Sequence, residues 1–173
     1  MAWLIDHTHS LVEFSVTHLM ISTVKGRFSQ LNGTIHLDPK TPENCWVKAE
    51  ISAASIHTNV PQRDAHLRSA DFFNVSKYPT ITFESTRVQL VDQTRCILYG
   101  QLTLLGVTRE VAFQVAYTGR NQDPLTGAWR VGLIGRTMID RRAFGMTFNQ
   151  VNAGSFLIGY NVGIELHIEA VWT

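Results

Sequence analysis

The chain has 173 residues, enough for one domain with a sizeable core and too few for a comfortable second. Apolar residues make up 45% and charged residues 17%, the second value low for a globular protein. Net charge is +1 with both signs interspersed, so nothing electrostatic points to nucleic acid or to an anionic membrane surface as a partner.

Met1 to Ile5 runs into Asp6 and His7 without a basic start or a long apolar region, so no signal peptide is read there. The expected location is cytoplasmic for the chain as written, and periplasmic if the N-terminus has been processed. Period-two alternation then dominates. Val12, Phe14, Val16 and His18 share one face of a first strand that ends near Ile21, with a turn expected at Lys25-Gly26. Leu31, Gly33, Ile35 and Leu37 form the second, broken by Asp38-Pro39-Lys40-Thr41-Pro42. Val47, Ala49, Ile51 and Ala53 form the third.

From His57 to Phe83 the alternation stops. Pro61 suits the first turn of a helix, Asn59 is a candidate cap, and Gln62 to Ala70 is predicted as a short helix with Ala65, Leu67 and Ala70 inward. Tyr78-Pro79 excludes a continuing helix. Ile81 and Phe83 open the fourth strand; its apolar phase then moves to Val88 and Leu90, which predicts a bulge near Ser85 to Arg87.

The fifth strand carries Leu98, Gly100, Leu102 and Leu104, followed by a tight turn at Gly106. The sixth carries Val111, Phe113, Val115 and Tyr117, and the seventh Trp129, Val131, Leu133 and Gly135, ending near Asp140. A long loop from Arg141 to Gly154 carries Phe144, Met146 and Phe148. Ile158 to Trp172 gives the longest alternation. The uncharged run from Ala143 to Ile164 has the length of a membrane span but is rich in Asn and Gly, so it reads as loop and strand, with no stable membrane insertion.

Eight strands, one short helix between the third and fourth, short connections and no βαβ spacing predict a single all-β domain over residues 1–173. The arrangement expected is an eight-stranded antiparallel, lipocalin-like barrel. A two-sheet sandwich is the alternative.

Catalytic signatures are missing. There is no GxSxG elbow, no HExxH and no phosphate loop, and carboxylates stay off the inward strand phase. His7 and His9 are the tightest histidine pair, with no third ligand at recognisable spacing, so neither a catalytic residue nor a metal is expected. Cys45 and Cys96 read as two independent thiols. His18 is a satisfied core residue or a polar contact inside a cavity.

The inward phase is aliphatic and aromatic almost throughout, which fits either a filled core or an apolar ligand cavity. Small inward residues (Gly33, Ala49, Ala53, Gly100 and Gly135) favour a void. The candidate ligand-binding wall is Phe14, Val16, His18, Ala49, Ile51, Ile81, Phe83, Gly100, Leu102, Phe113, Val131, Leu133 and Ile164, with Phe144 and Phe148 from the long loop. Arg63, His66 and Arg68 form either a solvated helix face or a polar collar at the mouth, where arginine would suit a phosphate or carboxylate head. Phe72, beside Phe73, would anchor this stretch to the barrel as a gate at its opening.

Several separated stretches resemble the YceI-like family. They include Phe14 to Phe28 (FSVTHLMISTVKGRF), Arg63 to Phe73 (RDAHLRSADFF), Lys77 to Phe83 (KYPTITF), Leu102-Thr103-Leu104 before Gly106-Val107-Thr108, Phe144-Gly145-Met146, and Gly159 to Glu169. The resemblance implies an extended eight-stranded barrel with a tunnel-like apolar cavity. It also implies a polyisoprenoid or similar lipid as ligand, no other cofactor, and no established catalysis. Many relatives are exported to the bacterial periplasm. The resemblance adds the expectation of a homodimer. An enzyme acting on a lipid-like substrate, with His18 or His66 as acid or base, and a stress-response protein with a filled core are the alternatives.

Overall fold

The computed structural model describes residues 2–152 and 155–173. The elements in order are β1 (Ala2–Ile5), β2 (Leu11–His18), β3 (Ser22–Phe28), β4 (Leu31–His36), β5 (Trp46–Ser52), β6 (Ile56–His57), α1 (Pro61–Arg68), β7 (Thr80–Leu90), β8 (Arg95–Leu104), β9 (Val107–Gln122), β10 (Trp129–Asp140), β11 (Val151–Asn152), β12 (Ser155–Phe156) and β13 (Asn161–Trp172). The main sheet closes on itself. It runs β1-β4-β5-β7-β8-β9-β10-β13, and β13 pairs back with β1.

Every pairing is antiparallel, and the closed barrel has eight staves, the first three of them bent. β1 and β2 lie end to end along β13, Trp3 opposite Trp172 and Phe14 opposite Ile164. β4 pairs with β1 and β3 with β2, while β5 pairs with β4 and β6 with β3. The expected count of eight therefore holds for staves, although alternation does not separate β1 and β3 as strands of their own.

The first hairpin turns earlier than expected. Leu19 and Met20 take φ of 51° and 60°, and the Ile21 N–H donates to the His18 carbonyl at 3.1 Å. Two left-handed residues match the twist of the flanking strands. Lys25 and Gly26 sit instead within β3, opposite Ser15 and Phe14. The Phe14 ring crosses Gly26 so closely that a Cβ there would lie 2.6 Å from its Cε1. The β8–β9 turn is the expected tight one, with Leu105 and Gly106 at φ of 54° and 71°. The predicted bulge falls between Ser85 and Arg87. Beyond it Val88 and Leu90 pair with Leu98 and Cys96, which returns them to the inward face.

The helix spans Pro61–Arg68, shorter than predicted, and its N-cap is Val60 without a side-chain cap bond. Asn59 is not the cap; it takes φ of 65° in the turn before it. Ala65 and Ala70 are exposed, and only Leu67 of the three expected inward residues is half-buried against the core. Polar bonds hold this helix down instead. Buried Asp64 accepts from the Thr58 N–H (2.8 Å) and hydroxyl (2.6 Å), and Arg63 donates to the Thr58 Oγ1 (2.7 Å) and carbonyl (2.8 Å).

The break between β1 and β2 is stitched to the barrel by charge. Arg130 donates to Asp6 at 2.8 Å, to Asp123 at 3.2 Å and to Glu169 at 2.5 Å. The Thr8 hydroxyl, then Arg130, hold the Asp6 carboxyl far below the usual carboxylate range against the opposing effect of burial. In an unfolded chain this group titrates near pH 4. Its contribution to stability is therefore present above about pH 4 and lost as the pH falls toward the depressed folded value. Asp6→Asn is expected to cost roughly 1–3 kcal/mol at neutral pH. It should also flatten the acid limb, so that wild type and variant converge in urea unfolding carried out near pH 2.

Candidate functional site

The inward-facing side chains do not meet at the barrel axis. They surround a cavity of about 260 Å³. Of the wall predicted from alternation, Phe14, Val16, Ala49, Ile51, Ile81, Phe83, Leu102, Phe113, Leu133 and Ile164 line it, as does Phe72 from the segment after α1. The same alternation could have added Val12, Ile35, Val47, Leu98, Val115, Val162, Leu166 and Ile168, which also line it. Leu67 from α1 and Ile158 from the start of the last alternation line it too, while Phe73 and Met146 come from irregular segments whose inward direction no periodicity reveals. Of the lining residues only Glu13, His36, Cys45, Trp46 and Arg141 carry strongly polar or ionisable groups, or an indole or thiol.

Eight predicted site residues lie off this wall. Gly100 is covered by the Phe83 ring, and a Cβ there would lie 2.7 Å from the Glu84 carbonyl oxygen; the glycine makes room for a neighbour, not for a void. Gly33 likewise sits under Ile5, with the Lys48 carbonyl oxygen at 2.7 Å from a Cβ. Val131 is buried in a cluster with Trp3, Ile35 and Ala170, of which Ile35 alone borders the cavity. Phe144 is 2% exposed and packs into the main core from the 3-10 turn Arg141–Phe144. Phe148 stacks edge-on against His66 and Phe72 at ring distances of 5.0 and 5.2 Å. His18 ends β2, bridging to Ile158 beyond the last lining residue of that strand.

Arg63, His66 and Arg68 do not form a collar. Arg63 is spent on Thr58, as described. Arg68 donates to the carbonyls of Ala54 (3.0 Å) and Ile56 (2.7 Å). His66 pairs with Asp71 at 2.8 Å on the outside, the two side chains 45% and 50% exposed. The segment that they anchor is a plug. Ala53, Ile56, Phe72, Leu104, Phe144 and Met146 are all buried at this end. The plug is closed from the other side by Arg141, 2% exposed, which donates to the carbonyls of Gly159 (2.9 Å), Met146 (2.9 Å) and Ile158 (3.3 Å).

The wall is incomplete at the opposite end. There the cavity reaches His36, Leu37, Cys45 and Trp46, and Trp46 is 39% exposed. β5 begins at Trp46 while β7 and β8 continue past it to their turn, so Leu90 is 52% exposed although its register places it inward with Cys96. β9 runs further still, and Tyr117, opposite cavity-lining Leu133, is 41% exposed. Stagger between neighbouring strands is a requirement of barrel closure, and here it leaves lumen-facing surface open. Burial pushes the Cys45 thiol up from its ordinary value, and the Cys96 thiol likewise. A mouth thiol of this kind reacts slowly.

Among the described residues, Asp6, His9 and Glu169 bring three potential metal ligands together. Arg130 is bonded to two of them, so that position already holds a cation. His7 and His9 are both exposed, and His9 bonds Asp6 at 2.8 Å.

The sequence matches the family model described as the YceI-like domain over residues 3–170. A UPF0312 protein of Azotobacter vinelandii is 39% identical over 138 residues, covering 80% of this chain and 71% of that protein. The fold superposes on Burkholderia cenocepacia BcnA with a TM-score of 0.85 at 20% identity, over 96% of this chain and 99% of that one. It superposes on a polyisoprenoid binding domain from Saccharophagus degradans with a TM-score of 0.72 at 16% identity, over 99% and 98%. An eight-staved antiparallel barrel around an apolar cavity, carried by a sequence that matches from the third residue to the last strand, places the chain in the YceI-like family.

Proposed function

We propose that this protein binds a long apolar ligand, a polyisoprenoid or a similar lipid, inside the barrel and carries or stores it without chemical change. The observation that carries this reading is the cavity, walled by apolar side chains from every stave. Apolar wall left to water forgoes about 25 cal/mol for each Å² that a ligand could cover, so hydrocarbon is the filling that this wall favours. The Saccharophagus degradans neighbour is itself described as polyisoprenoid-binding.

Binding without catalysis is supported by the placement of His18 and His66, the two histidines that an acid–base role would use. His66 and Asp71 pair on the outer surface, away from the cavity wall, and His18 lies beyond it. Organic extraction of the purified protein followed by mass spectrometry tests the reading. A recovered isoprenoid or fatty lipid is the expected result, with added lipid raising Tm by several degrees. Recovery of no lipid, together with no shift in Tm and no displacement of a fluorescent lipid by added isoprenoids, would overturn it.

A further inference from the structure

At the open end one guanidinium stands out. Arg120 lies on β9 directly opposite Val131 of β10, and Val131 is buried on the lumen side. Leu133, two positions further along the same strand and roughly 7 Å away, lines the cavity. The Arg120 side chain therefore projects over the end of the barrel. Its Cζ is 4.4 Å from the ring centroid of Trp129 and 5.6 Å from that of Trp3. Trp3 is buried beside Ile35, Val131 and Ala170, and of these Ile35 lines the cavity. The other arginines on neighbouring turns at this end are neutralised, Arg95 by Asp92 and Arg130 by three carboxylates. Arg120 has ring contacts and forms no ion pair among the described residues.

Stacking uses the face of a guanidinium and leaves its in-plane N–H edge free to donate. Two indoles hold Arg120 in place, so fewer rotamers are lost when its edge takes an oxyanion. We propose that Arg120 is the head-group site of the ligand, selecting an apolar chain that ends in a phosphate or carboxylate and holding that head at the mouth while the chain fills the barrel. The proposal rests on the lipid-binding reading above and adds the polarity and orientation of the ligand. It also moves the head group to the end opposite α1.

The test compares geranylgeraniol with geranylgeranyl phosphate, which share one chain, by displacement of a fluorescent fatty-acid probe at low ionic strength. Wild type is expected to bind the phosphate ester about tenfold more tightly than the alcohol, as one bidentate charge-assisted contact allows. Arg120→Gln should bring the two within about twofold by weakening the phosphate ester alone, Arg120→Lys should fall between, and Arg109→Gln, an exposed arginine near the β8–β9 turn, should change neither. Inorganic phosphate in large excess should not displace either ligand, because one cation without the chain holds it weakly. Equal binding of both ligands by wild type, a phosphate preference that survives Arg120→Gln, or full displacement by inorganic phosphate would each overturn the head-group assignment. Failure of wild type to bind either ligand would instead overturn the lipid-binding reading, and this proposal with it.

Discussion

Gly135→Phe is expected to abolish lipid uptake while leaving the fold at least as stable as wild type. Gly135 lies on β10 and faces the cavity, where a Cβ would meet Leu166 Cδ1 at 3.5 Å and Phe113 Cδ1 at 3.7 Å, ordinary contact distances. Its backbone is extended within a strand, so replacing glycine removes an entropic cost of roughly 0.5–1 kcal/mol. The phenyl ring would occupy much of the cavity and bury apolar surface worth about 2–3 kcal/mol. Gly100 supplies the contrast. It too sits on the inward phase, yet a Cβ there collides with the Phe83 ring and approaches the Glu84 carbonyl to 2.7 Å, which is backbone and cannot swing aside. Gly100→Ala should cost roughly 1–3 kcal/mol through overpacking, and Gly100→Trp considerably more. Lipid titration and urea unfolding of the two variants should therefore separate in opposite directions. Undiminished lipid affinity in a folded Gly135→Phe protein would show that the ligand does not occupy this part of the barrel.

The difference between these two glycines also marks where sequence stops informing. Alternation places both on the inward face, and it places Val131 there beside Leu133 just as readily. Which inward residue borders the cavity depends on how far along the barrel it lies and on which neighbouring ring crosses it. Both are set by stagger between strands far apart in sequence. Alternation located the strand cores, and a phase change within one strand located the bulge at Ser85–Arg87, because those are local signals. The Leu19-Met20 turn was hidden by its apolar residues, which look like a strand continuing, whereas Lys25-Gly26 has turn chemistry but lies under the Phe14 ring. The charged stretch Arg63 to Asp71 looked like a gate because its residues are the kinds that meet ligands. The arginine donors are instead consumed by Thr58 and by the carbonyls of Ala54 and Ile56, partners in a turn and a two-residue strand too short to leave a pattern. Arg120 is concealed for the converse reason. An arginine near a polar loop looks solvated, and only the pairing with Val131 turns it over the lumen.

Arg141→Met is expected to be among the most destabilising single replacements in the chain, at roughly 3–5 kcal/mol. Burial draws the Arg141 pKa down from its ordinary value, with nearby Tyr160 and Asp140 acting in the opposite direction. What makes the buried cation tolerable is its set of acceptors. Nε donates to Gly159, Nη1 to Met146 and Nη2 to Ile158, while Cζ lies over the Tyr160 ring at 4.9 Å from its centroid. Methionine replaces much of the volume but donates nothing. The Ile158 carbonyl keeps the Asn149 side-chain amide at 2.7 Å, whereas the carbonyls of Gly159 and Met146 lose this donor. Arg68→Met is the matched comparison, since its two carbonyl bonds sit at a half-exposed edge where water can replace them, and roughly 1–2 kcal/mol is expected. Met146 and Ile158 both line the cavity, so loosening them should open the plugged end. Lipid release should then quicken in the folded fraction of Arg141→Met at low temperature, although the only lining residue altered is Arg141 itself. An unchanged Tm would refute the role given to Arg141. A lowered Tm with wild-type release kinetics would mean that the plug contributes stability and that the ligand leaves only past Trp46.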